Sequence, residues 1–99
     1  MATTKRMMAM RKFEFIVNGK GLHIISPYDD TRTPRRVLKG WESFTGWYWF
    51  SFEEVEPGFH FGLVQGIEDE LGYFSEAELN KIPTIWRIKK TDLPYAGRR

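Results

Sequence analysis

The 99 residues contain no cysteine, which excludes disulfide bridges, zinc-thiolate centres and thiol nucleophiles together. They contain no apolar run of about 20 residues, the length that a membrane-crossing helix requires. The short apolar stretch Met7 to Met10 is closed by Arg11-Lys12 well before the roughly 7–15 residues of a signal-peptide core. These absences lead to the expectation of a soluble cytoplasmic protein, acting in the host cytoplasm if a phage encodes it, with no membrane association.

A third absence is one of charge sign. Between Trp41 and Asn80 there is no lysine or arginine, while Glu42, Glu53, Glu54, Glu56, Glu68, Asp69, Glu70, Glu76 and Glu78 give that stretch nine carboxylates. The basic groups crowd into the flanks, nine in residues 1–40 and six in residues 81–99. A net charge of +2 therefore conceals two opposed fields.

What is present in quantity is aromatic: 8 Phe, 4 Trp and 4 Tyr, enough large apolar surface for one small domain to fold without a staple. Phe13, Phe15 and Val17 alternate along one face, Gly19-Lys20-Gly21 supplies a turn, and Leu22 to Ser26 returns, which predicts a β-hairpin. Residues 26–34 read as a loop, and Pro34 to Lys39 as a short helical turn closed by Gly40. Residues 47–54 and 59–67, joined at Pro57-Gly58, read as the core hairpin, with the pairs Trp47/Trp49 and Phe59/Phe61 forming the core. Glu68 to Gly72 reads as a turn. Ser75 with Glu78 three residues on has capping-box spacing for a helix from Glu76 to about Lys81. Thr84 to Lys90 reads as a last strand, with Trp86 and Ile88 facing inward. The expected fold class is α+β, a single domain over residues 1–99 with one small antiparallel sheet of four or five strands and one short helix packed on it. Residues 1–11 and 95–99 are expected to be mobile basic tails.

The run from Phe59 to Leu79, FHFGLVQGIEDELGYFSEAEL, resembles a family of small uncharacterised domains carried by plasmids, integrative elements and phages, whose signature is F-F-G-L-V-x-G-x-E-x-E-L-G-Y-F-S-x-x-E-L. The Trp-rich strand at Trp47-Tyr48-Trp49 resembles the segment that precedes that signature, and the similarity covers about residues 41–95. The first forty residues do not match. The resemblance implies a mobile-element habitat and no reaction.

Candidate chemistry is sparse. Glu68 and Glu70 can be read as a cation pair or an acid/base pair, and a small hydrolase built on them is the distant alternative, but no third ligand has recognisable spacing. His60 would need a carboxylate such as Glu68 brought near by the fold. Ser43, Ser51 and Ser75 lie in no nucleophile-elbow context, and Gly19-Lys20-Gly21 lacks the rest of a phosphate loop. No enzyme, catalytic residue, cofactor or metal is therefore expected. The leading expectation is a non-enzymatic binding module, a protein-interaction protein or an inhibitor of host defence of the anti-CRISPR or anti-restriction type. Its acidic surface, Glu53, Glu54, Glu56, Glu68, Asp69 and Glu70, would meet a basic protein partner whose identity the sequence leaves open. The alternative is a nucleic-acid-associated protein using Arg32, Arg35, Arg36, Lys39, Arg87, Lys89 and Lys90, with Tyr28 or Trp41 stacking on bases.

Overall fold

The computed structural model describes residues 12–97. Eight strands follow one another as β1 (Glu14–Asn18), β2 (Gly21–Ile25), β3 (Arg35–Arg36), β4 (Lys39–Ser43), β5 (Tyr48–Glu56), β6 (Phe59–Gln65), β7 (Asp69–Ser75) and β8 (Ile85–Arg87). Among the described residues one α-helix, α1 (Glu76–Asn80), stands between β7 and β8, and a 3-10 turn, Leu93–Tyr95, follows β8. Strand makes up 50% of the described residues and helix 9%, in two antiparallel sheets. This corrects the expected α+β class with a single sheet: the protein is mostly β. No helix among the described residues is long and apolar enough to cross a membrane.

The chain divides into two units, Met1–Arg36 and Val37–Arg99. The first holds the three-stranded sheet β1-β2-β3. Its hairpin is the one read from the sequence: Phe15 pairs with Ile24 and Asn18 with Gly21 across the two-residue loop Gly19-Lys20. Gly21 takes φ 103°, a left-handed conformation that glycine reaches without a steric penalty. In the following loop the Asp29 carboxylate accepts from the Thr31 N–H at 3.0 Å, the Thr31 hydroxyl at 2.7 Å and the Thr33 N–H at 3.1 Å, and these bonds hold its pKa below the usual aspartate range.

The expected helical turn over residues 34–39 is absent. Arg35 and Arg36 pair with Ile24 and His23, and Lys39 opens β4. Gly40 is a strand residue instead of a helix stop: a Cβ there would lie 2.6 Å from Leu93 Cδ1, so the position admits glycine because another segment crosses it closely. The turn expected at Glu68 to Gly72 is also strand. Once β6 offers its free edge, Asp69 to Ser75 pairs with it residue for residue, and the loop contracts to residues 66–68.

The second unit is a five-stranded sheet in the order β7-β6-β5-β4-β8. On one face Trp41, Phe74 and Leu79 of α1 form a buried cluster, flanked by Trp49, Val64 and Ile85. On the other face Phe50 and its cross-strand partner Leu63 are fully buried, and the segment from Ile88 to Gly97 crosses them. Gly97, expected in a mobile tail, is buried with its α-carbon against Phe50 and Gln65. Tyr95 of the same expected tail belongs to the 3-10 turn and Ala96 follows it, while residues 1–11 and 98–99 lie outside the described residues. The expected core pairs are only half inside, since Trp47 and Phe59 are 37% and 38% exposed; Trp41, Phe50 and Leu63 take their place. Trp86 also faces solvent, its indole N–H donating to Glu42 at 2.9 Å.

Candidate functional site

Strand β5 changes register against β6 between Ser51 and Glu53 and again between Glu54 and Glu56. A residue inserted into one strand of a pair re-aims the side chains beyond it. Ser51 stands opposite Gly62 and Glu54 opposite His60, so the irregularity at Phe52 puts two residues three apart in sequence on the same face as His60.

Around His60 this builds a polar chain. Ser51 Oγ lies 2.7 Å from His60 Nδ1, and Glu76 Oε1, at the first position of α1, lies 2.6 Å from His60 Nε2. The imidazole sits between Trp41, at 5.2 Å between ring centroids, and Phe74, stacked at 5.4 Å. Lys39 Nζ reaches Glu76 Oε1 at 3.1 Å and Glu54 Oε1 at 3.6 Å, and Glu54 Oε2 accepts the Gly58 N–H at 2.7 Å. Hydrogen bonding from His60 and the nearby Lys39 ammonium hold the Glu76 carboxyl below the usual glutamate range. The Gly58 N–H and then Lys39 do the same for Glu54.

A hydroxyl, an imidazole and a carboxylate in line is the order of a hydrolytic triad, and the geometry of access decides against that use. Ser51 and His60 are both 0% exposed, so the hydroxyl has no face on which a carbonyl substrate can approach. The donor atoms of Glu54, His60 and Glu76 lie within 4.8 Å of one another, a spacing that suits a metal ion. Lys39 already brings a positive charge to both carboxylates. The chain of bonds therefore fastens β5, β6, β4 and α1 together. Alternation along β6 predicts His60 on the face opposite Phe59 and Phe61, as found, but the sequence points to Glu68 for its partner. Glu76 is that partner, hidden in the sequence by its role in starting a helix.

The six acidic residues expected to form one surface fall into two groups. Glu53, Glu54 and Glu56 stand at the β5–β6 turn, and Glu68, Asp69 and Glu70 at the β6–β7 turn. These are opposite ends of β6, about 20 Å apart at the usual rise per strand residue. In the first group Glu54 is engaged by Lys39 and Gly58. In the second, Asp69 Oδ2 accepts from the Gln65 amide at 3.1 Å, while Glu68 and Glu70 are exposed. These two carboxylates rim a groove of about 290 Å³ lined by Trp47, Val64, Gly66 and Ile67, the last 92% exposed. The Trp47 ring lies over Gly66, where a Cβ would come within 2.5 Å of it, and leans on Trp49 with ring centroids 5.9 Å apart.

The basic candidates divide between the two units. Arg32, Arg35 and Arg36 belong to the first unit, where Arg32 pairs with Glu14. In the second, Lys39 is spent on Glu54 and Glu76, and Arg87 lies 5.3 Å over the Trp41 ring, leaving Lys89 and Lys90 exposed beyond β8. Trp41 is buried and has no face for a base, whereas Tyr28 is exposed with Phe13 at its edge. No family model, curated protein or solved structure matches this chain.

Proposed function

We propose that the protein is a non-enzymatic protein-binding module whose acidic β6–β7 end takes a basic side chain of its partner. The observation that carries this reading is the groove in which an aromatic wall, Trp47, and an apolar floor, Val64 and Gly66, meet the exposed carboxylates Glu68 and Glu70. A lysine or arginine suits such a place because its methylene stem covers apolar surface while its head pairs with carboxylates or lies over an indole. The surrounding stretch from Trp41 to Asn80 supplies no cation of its own. The resemblance of residues 59–79 to mobile-element domains directs the search for the partner to host defence proteins in the host cytoplasm.

The test uses a seven-residue peptide of alternating valine and threonine with arginine at its centre, and a version with glutamate in that place. Titrated against the protein and followed by tryptophan fluorescence, the arginine peptide binds and the glutamate peptide does not. Glu68→Gln and Glu70→Gln each weaken the arginine peptide about tenfold, the loss of one hydrogen bond to a charged group. Equal binding of both peptides, or indifference to both substitutions, overturns the reading. Binding of single-stranded DNA with a steep salt dependence would favour the basic flanks instead.

A further inference from the structure

We propose that the partner segment enters as an added β-strand along the open edge of β7, its basic side chain placed in the Trp47 groove by the register of that strand. The inference rests on the protein-binding reading and names the form of the partner. Among the described residues β7 is the end strand of its sheet, seven residues long, and none of the seven is lysine or proline, the residues that commonly blunt an edge.

The direction of its backbone groups follows from two hydrogen bonds. Gly66 N–H donates to Glu68 O at 3.1 Å, and Glu76 N–H donates to Gly58 O at 2.9 Å, one beyond each end of the β6–β7 ladder. In an antiparallel pair hydrogen-bonded and non-hydrogen-bonded positions alternate. With the observed register, Glu70, Gly72 and Phe74 therefore bond to β6, and Leu71 and Tyr73 turn their N–H and C=O outward. Gly72 between them carries no side chain and has nothing within 4 Å of its Cβ direction, so a strand can approach flat. Tyr73 is 63% exposed, stacked on Phe59 at 5.7 Å, and offers an aromatic surface to the strand's other face.

The same register selects the side chain. Glu70 shares a face with its partner Val64, and hence with the groove. An added strand meets Glu70 as a non-hydrogen-bonded pair, the arrangement in which opposed side chains lie closest. The residue opposite Glu70 is thus delivered beside Glu70 on the face of the groove, and the long stem of a lysine or arginine there extends over Glu70 toward Val64 and completes the charge. A second copy of this chain fits less well, because antiparallel pairing of two β7 strands about Gly72 sets Phe74 against Glu70 and brings no cation.

The decisive probe is the arginine peptide with N-methyl groups on the backbone nitrogens that face β7, which removes outward hydrogen bonds and keeps every side chain. It should bind the unmodified protein about tenfold more weakly than its parent. Leu71→Pro should weaken the parent peptide similarly while the variant stays folded with a cooperative melt, because proline there removes an outward N–H and no bond to β6. Undiminished binding of the methylated peptide overturns strand addition. If Glu70→Gln still weakens binding in that case, the acidic-groove reading survives; if it does not, both fall. A dimer by sedimentation that Leu71→Pro converts to monomer would give the edge to a second copy and overturn the proposal.

Discussion

His60 Nε2 and Glu76 Oε1 stand 2.6 Å apart, joining the second strand from the sheet edge to the first residue of the only α-helix among the described residues. The bond spans 16 residues of chain. With Ser51 on the other ring nitrogen, it leaves neither nitrogen of a fully buried imidazole without a partner.

Removing both partners should therefore cost less than the two single removals added together. Ser51→Ala strands Nδ1 in the interior, and should destabilise the protein by about 1–3 kcal/mol. The double variant Ser51→Ala with His60→Leu should cost less than the sum of the two single changes. Urea denaturation of the four proteins in the cycle measures that difference, and strict additivity would show that the two side chains are not coupled.

Acid should loosen the same tie. The folded-state pKa of Glu76 lies below its unfolded value, so the stability it contributes is present above the ordinary glutamate pKa of about 4.3 and is lost as pH falls through the lower folded value. Glu54 adds in the same direction. Stability measured from pH 6 downward should fall through this range, and Glu76→Gln should flatten the fall. A Glu76→Gln profile parallel to that of the parent would assign the acid limb to other carboxylates.

Two glycines on one strand and its turn should behave differently. A Cβ at Gly62 would lie 1.7 Å from the Phe50 carbonyl oxygen, so alanine there must push β5 and β6 apart and should cost about 3 kcal/mol, the upper end of the usual overpacking range. At Gly66 the obstacle is the outer ring of Trp47, a half-exposed side chain that can swing aside. Gly66→Ala should leave the melting temperature nearly unchanged while shifting tryptophan emission and weakening the arginine peptide. Similar thermal losses in both variants would mean that Trp47 is as fixed as backbone.

Lys39 should matter through charge. Lys39→Met leaves Glu54 and Glu76 facing each other without their shared cation, but the ammonium side chain is 30% exposed, so the cost should stay near 0.2–1 kcal/mol and shrink as salt is added. Loss of stability independent of salt would point to packing of the lysine stem instead.

The sequence made local features legible wherever a residue type has few conformational options. The Gly19-Lys20 hairpin, the Pro57-Gly58 turn and the helix capped by Ser75, whose Oγ accepts the Glu78 N–H at 3.4 Å, were all readable. What escaped was set by partners distant in the chain. Glu68 to Gly72 has the composition of a turn and becomes strand because β6 supplies seven consecutive pairing positions. Gly40 reads as a helix stop and is a close crossing under Leu93. The lack of cations between Trp41 and Asn80 marks the candidate carboxylates in the sequence, but only the register of β6 separates them into two ends. Ser51 gave no signal at all, because the irregularity at Phe52 that aims it at His60 has no mark in composition.

The close passage of Gly62 beneath the Phe50 carbonyl also bears on descent. Across diverging copies of this gene, position 62 should stay glycine while its neighbours drift, since every other side chain meets backbone there. Positions 51, 60 and 76 have a different freedom: a lineage that loses the imidazole releases the hydroxyl and the carboxylate from their shared task, so the three should change together or not at all.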